Sequence, residues 1–307
     1  MQTVAIRIGT RGSPLALVQA EETRRLIMAT DAIAEAAVEI TPIQTLGDAI
    51  RDRPLSDFGG KGLFTKDIDE ALLTGRVALA VHSAKDMPTR LPDGLVLAAC
   101  LVREDVRDAI LSPGPRNLAE LQQGAVLGTS SLRRKALALR ARPDLTVIDF
   151  RGNVGTRMRK LEEGAADATL LAVAGLKRLG LADRAAGVLD ADEWLPAIGQ
   201  GAIAIVARED DADTRALLAL LDHAETSVAL AVERAFLTVL DGSCRTPIGG
   251  LARIEEDQVH FRGIIVKPDG SEAHTVERRG AASDAEALGA DAGAELAARG
   301  GRAFFDE

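Results

Sequence analysis

The 307-residue chain has no tyrosine, a single tryptophan and only 3% aromatic residues. A stacking platform for single-stranded nucleic acid needs aromatic faces, and phosphate binding needs a basic surface. With few of the first and a formal net charge of -9, the chain is not expected to take nucleic acid as a bulk partner. Its two cysteines, Cys100 and Cys244, cannot make a disulfide framework, and a chain of this size does not need one. The four histidines, His82, His223, His260 and His274, are scattered, none at metal-ligand spacing to another His or Cys, so no metal centre is expected. No apolar run approaches the roughly 20 residues of a membrane helix. The N-terminus has no long apolar core followed by a small-residue cleavage site. The expectation is a soluble, cytoplasmic protein without a membrane partner.

What the chain has is length enough for two or three domains and a repeated strand-then-helix pattern. Val4 to Ile8 reads as a strand, and Gly9 to Pro14 as a turn before a helix. Val38 to Thr45 reads as a second strand, Phe64 to Leu73 as a helix, and Val77 to Val81 as a strand ending in His82-Ser83-Ala84-Lys85-Asp86. Between them, the polar, glycine-rich stretch from Gly47 to Gly62 reads as a mobile loop. The alternation restarts after Pro113-Gly114-Pro115, which reads as an inter-domain hinge. Strands are expected at Val126-Leu127, Thr146 to Phe150 and Ala168 to Val173. A further strand at Ala202 to Val206 is expected to cross back to the first sheet. A helix over Val228 to Leu240, strands near Val259 to Val266 and Ala273 to Arg279, and a helix from about Ala285 suggest a smaller α+β domain. The alternation predicts mostly parallel sheets covered by helices.

The polar residues with chemistry follow the strands directly. Arg11, then Ser83, Lys85 and Asp86, then Thr129, Ser130, Ser131, Arg133 and Arg134, then Arg151 with Arg157, and finally Arg178 each sit just past an expected strand. In open α/β sheets, ligands bind outside the carboxyl ends of the strands. A set of arginines and lysines converging there implies a ligand with several carboxylates or phosphates. Any one of these arginines taken alone reads equally well as a solvated surface pair. Gly59-Gly60-Lys61-Gly62 lacks P-loop spacing, and Gly9-Thr10-Arg11-Gly12 is not a dinucleotide fingerprint. Cys100 ends an apolar run and reads as a buried strand residue. Cys244 lies in a glycine-containing turn beside Arg245, where it is either an inert turn residue or a reactive thiolate. Asp86 is either a helix cap or the one acid in a cationic site, able to move a proton or stabilise positive charge.

Five segments together resemble the porphobilinogen deaminase family. They are Val81 to Asp86, Gly128 to Arg134, Arg151 to Arg157, Ala174 to Leu179, and Gly242-Ser243-Cys244-Arg245-Thr246-Pro247. The resemblance runs from about Ile6 to Gly270. It implies a transferase that joins four porphobilinogen units head to tail, with loss of ammonia, into a linear tetrapyrrole. It implies a dipyrromethane cofactor held by Cys244 as a thioether, with Asp86 as the catalytic acid. The implied cofactor- and substrate-binding set is Arg11, Ser13, Lys61, Ser83, Lys85, Thr129, Ser130, Ser131, Arg133, Arg134, Arg151, Arg157, Arg178 and Gln200. Two local departures are Asp57, where some relatives carry lysine, and Ser243, where glycine is common. The implied fold is α/β: two doubly wound domains resembling type II solute-binding proteins, plus a smaller α+β C-terminal domain. The expected boundaries are 1–105 with 200–220, 106–199, and 221–307, in a monomer. The alternative is a polycarboxylate solute-binding protein without chemistry, which would have no use for Cys244.

Overall fold

The structure, a computed structural model, describes residues 6–30, 38–45, 47, 65–240, 246–300 and 302–305. Two compact units share the chain: Met1–Arg103 with Ala202–Ser227, and Glu104–Gly201 with Val228–Glu307.

The first unit is built on a five-stranded sheet. β1 (Ile6–Arg11) lies between β2 (Val38–Ile43) and β3 (Leu79–Ser83), parallel to both. β10 (Ile203–Arg208) enters antiparallel between β3 and β4 (Leu95–Cys100), giving the order β2-β1-β3-β10-β4. The expected return of this strand to the first sheet is observed. Ile203 to Ala207 are all fully buried, which is why this central strand is an uninterrupted apolar run. Gly9-Thr10-Arg11, expected as a turn, belongs to β1, and the turn comes one step later. There Ser13 caps α1 (Pro14–Met28), its Oγ accepting from the Ala16 N–H, with Pro14 opening the helix. α2 (Lys66–Leu73) buries Ile68 and Leu72, and α6 (Ala212–Ala219), which follows β10, buries Leu218. The loop expected from Gly47 to Gly62 falls, apart from Gly47, outside the described residues.

The second unit repeats the scheme. β6 (Val126–Gly128) is parallel to β7 (Thr146–Ile148) and β8 (Ala168–Ala172). β5 (Asp108–Leu111) runs antiparallel to β8 and to β9 (Gly187–Val188), giving β7-β6-β8-β5-β9. Strand β5 was not expected. It places Pro113-Gly114-Pro115 inside this unit, after its first strand, and the chain passes between units at Arg103 and Glu104 instead. α3 (Leu132–Ala141), α4 (Val154–Glu162) and α5 (Val173–Arg178) follow β6, β7 and β8. Both sheets are therefore mixed, three parallel strands with antiparallel partners, rather than wholly parallel.

An antiparallel meander of β11 (Ile248–Glu255), β12 (Gln258–Val266) and β13 (Ala273–Ala281) completes the second unit. Its first turn is the residue pair Glu256-Asp257, both at positive φ (48° and 62°), the backbone of a two-residue hairpin turn. Leu251, Ile264 and Val266 join the core of Leu127, Ala136, Leu137 and Trp194. Val259, Phe261 and Ile265 pack with Val232 and Phe236 of α7 (Ala224–Val239) and with Ala292 and Leu296 of α8 (Ala285–Gly300). The two helices touch backbone to backbone: a Cβ at Gly289 would lie 2.1 Å from the Val232 carbonyl oxygen, and one at Gly293 2.9 Å from that of Phe236. Gly289→Val is therefore expected to lower stability by about 1–3 kcal/mol, the usual cost of overpacking. An unchanged thermal midpoint would show that the helices have room to part.

Candidate active site

In the first unit, the strand ends build one small pocket lined by Arg11, Ser13, Gln19, Thr65, His82, Ser83 and Asp86, among others. Arg11 is the last residue of β1, and Ser83 the last of β3, so the parallel strands deliver both to the same end of the sheet. The Ser83 hydroxyl and the Gln19 carboxamide are hydrogen-bonded at 2.9 Å, which ties α1 to β3. Asp86 closes a 3-10 turn, Ala84–Asp86, that begins after Ser83 and carries no side-chain cap. The Asp86 side chain is exposed and caps no helix among the described residues, which argues against the structural role open to it in the sequence. Lys85, in the same turn, is half-buried. His82 is buried, and that burial, with the Arg11 charge second, pushes its pKa down to about 4. It stands in the pocket as a neutral imidazole at physiological pH. Lys61 lies outside the described residues.

In the second unit, Gly128 at the end of β6 leads into Thr129-Ser130-Ser131 and α3. Ser131 is the N-cap, accepting from the Arg134 N–H. The Ser130 hydroxyl accepts from the Phe150 N–H at 3.1 Å, and buried Thr129 accepts from the Ser131 N–H at 3.2 Å. A residue that was not expected organises this end. The fully buried carboxylate of Asp108 accepts at Oδ2 from Arg133 Nη2 (2.8 Å), Arg134 Nε (3.1 Å) and Trp194 Nε1 (2.9 Å). At Oδ1 it accepts from Arg134 Nη2 (2.7 Å) and Gln200 Nε2 (2.8 Å). Burial alone would raise the Asp108 pKa, but the charges and hydrogen bonds of Arg133 and Arg134 outweigh it and hold the acid well below the usual range.

Neither arginine is the solvated surface cation that each suggests when taken alone. Arg133 and Arg134 are buried, and each also donates to a backbone carbonyl, of Leu195 (2.9 Å) and Leu170 (2.8 Å) respectively. Gln200 is buried too, with Nε2 also donating to the Val106 carbonyl. The remaining cations are half-buried. Arg151 pairs with Asp149 at 2.8 Å, Arg157 donates to the Gly152 carbonyl at 2.9 Å beside the Asn153-capped start of α4, and Arg178 donates to the Gly201 carbonyl at 3.2 Å. The expected residues thus fall into two groups, one in each unit.

The donor set fits a group bearing carboxylates. One carboxylate faces two guanidiniums, so the Asp108 cluster keeps a net positive charge, and among the described residues the buried Nε–H of Arg133 has no hydrogen-bond partner. Cys244 lies outside the described residues. The helix before it, α7, is anchored by buried Glu233, whose two carboxylate oxygens accept from the N–H groups of Gly199 (2.7 Å) and Ala252 (2.9 Å).

Comparison with known proteins gives concordant matches. Residues 6–216 match the family described as porphobilinogen deaminase, dipyromethane cofactor binding domain, and residues 228–298 its C-terminal domain. The chain is 57% identical over 298 residues to the porphobilinogen deaminases of Nitrobacter hamburgensis and Nitrobacter winogradskyi, covering 97% of this chain and 94% of each relative. Among solved structures, a putative methionine-binding lipoprotein of Bacillus subtilis is similar over 71% of this chain and 89% of its own, at 13% identity and a TM-score of 0.44.

Proposed function

The chain belongs to the porphobilinogen deaminase family, and on that premise we propose how its residues share the reaction. The enzyme is a transferase of tetrapyrrole biosynthesis: it joins four molecules of porphobilinogen, a small-molecule substrate, head to tail with loss of ammonia, giving hydroxymethylbilane. It carries a dipyrromethane cofactor, which when bound supplies the primer for the growing chain. A solute-binding protein without chemistry is set aside by the family match over both segments.

Asp86 is the catalytic acid. Its exposed carboxylate borders the pocket that Arg11 and Ser83 also line, and this grouping at the ends of two parallel strands carries the assignment. There it stabilises the positive charge that develops on the substrate as ammonia leaves, and it holds or releases the accompanying proton. Arg11, Ser13, Ser83 and Lys85, with Lys61 beyond the described residues, bind incoming or added rings. Each pyrrole carries an acetate and a propionate, so each ring brings two negative charges for the cations to meet. In the second unit, Arg133, Arg134, Arg151 and Arg157, with Thr129, Ser130 and Ser131, would hold the cofactor's carboxylates, and Arg178 those of added rings. Gln200 supports this set through Asp108. Cys244 is the thioether anchor. The proposed organisation is three domains, 1–105 with 200–220, 106–199 and 221–307, in a cytoplasmic monomer.

The division of labour is tested by intact mass. Arg157→Leu should purify largely without the cofactor. Arg11→Leu and Arg178→Leu should carry it but stall, leaving masses with one or more extra rings after porphobilinogen is added. A lost charge-assisted contact of this kind is worth about 1.5–3 kcal/mol. Identical mass distributions in all three variants would show one undifferentiated positive field instead. Arg133 and Arg134 are unsuited to this truncation, because both are buried and bonded to Asp108, so losing either also disturbs a buried ion-pair cluster.

A further inference from the structure

Asp108 has no role in the chemistry described so far, yet its carboxylate accepts five side-chain hydrogen bonds from described residues. Its donors come from α3 and from the segment between β9 and β10, so its carboxylate is where these parts of the second unit are fastened to β5. Arg134 is gripped on two of its nitrogens by the one carboxylate, which fixes the plane of the guanidinium. Arg133 is pinned at Nη2 by Asp108 and at Nη1 by the Leu195 carbonyl, leaving its Nε–H as the donor still to be satisfied. A second internal carboxylate would neutralise the pair, and no internal carboxylate would leave two flexible, repelling cations.

We infer that Asp108 is a positioning residue for carboxylate recognition, holding the Arg133–Arg134 pair rigid and one negative charge short, so that a carboxylate of the bound pyrroles completes it. The inference rests on the reading of Arg133 and Arg134 as carboxylate-binding groups. The geometry supplies its own reporter, because Trp194, the only tryptophan in the chain, donates its indole N–H to Asp108.

Asp108→Asn keeps the shape and removes the charge. The expected result is folded protein whose cofactor occupancy by intact mass, or whose KM for porphobilinogen, is worse by about tenfold or more, the lower end for a misplaced charge-assisted contact. Trp194 emission should shift at the same time, with far-UV circular dichroism unchanged. Wild-type occupancy and KM in folded Asp108→Asn overturn the inference. Arg133→Lys and Arg134→Lys, which keep the charge but lose the fork, separate the two claims. If both load and turn over normally, the binding reading of the pair is wrong. If they are impaired while Asp108→Asn is normal, only the positioning role falls. Should Asp108→Asn fail to fold, Trp194→Phe removes one donor and keeps the apolar packing. A fall in occupancy or a rise in KM of about threefold or more supports the role, since a single hydrogen bond is worth at least about that much. Wild-type values in Trp194→Phe overturn it.

Discussion

Cys244→Ala is expected to purify at the unmodified chain mass of 32.3 kDa and to show no measurable turnover. A thiolate is the natural group to capture an electrophilic methylene, and Arg245 beside it favours the thiolate form. The loss should be complete because the chain's other cysteine is not placed to stand in. The other cysteine, Cys100, is fully buried in β4, with its backbone N–H bonded to Asp222. Cys244→Ser should fail as well, since a hydroxyl is a far weaker nucleophile than a thiolate at neutral pH. Intact and peptide mass spectrometry decides the matter: the wild-type peptide containing Cys244 should carry the dipyrromethane, and an unmodified Cys244 in active enzyme would sink the assignment.

Asp86→Asn is expected to keep the fold and the cofactor while slowing turnover by about 10² to 10⁴-fold, the usual worth of a positioned acid–base or electrostatic group. The two parts of that expectation come from one observation. Because Asp86 is exposed and caps no helix among the described residues, its amide replacement should move stability by no more than about 0.5 kcal/mol. Turnover under saturating porphobilinogen, beside a thermal melt and the intact mass, separates chemistry from stability. Retention of more than about a tenth of wild-type activity falls well short of that range and would return Asp86 to the status of a bystander.

The strand ends were legible because each parallel strand is a short apolar run that stops abruptly at polar residues. Val81 to Asp86 and Leu127 to Arg134 show this directly, and the structure puts the change from buried to polar where the pattern does. β10 was legible for the same reason. The Asp108 cluster was not, because its partners lie 25, 26, 86 and 92 positions away, and no local pattern records contacts at that range. One signal was present: a charged residue opening the apolar stretch Asp108-Ala109-Ile110-Leu111 demands an internal partner. β11 was missed because its turn is Glu256-Asp257, without the glycine that marks most such hairpins. The burial of Arg133 and Arg134 was not legible either, because the motif shows their charge and not their contacts.

The insertion of β10 between β3 and β4 has a consequence for the order in which the protein is made. The first sheet is not finished when its own amino-terminal residues have left the ribosome. β4 pairs only with β10 among the described strands, and β10 begins at Ile203, beyond the whole second sheet. At synthesis rates of about 5–20 residues per second, the roughly 100 intervening residues take on the order of 5–20 s to emerge. For that interval the apolar edges of β3 and β4 wait open, while β5 to β9 emerge in turn and have every strand they need before Ile203 appears. The unit that comes first in the chain is therefore the later of the two sheets to close, and a nascent chain stalled before Ile203 is one a chaperone should recognise.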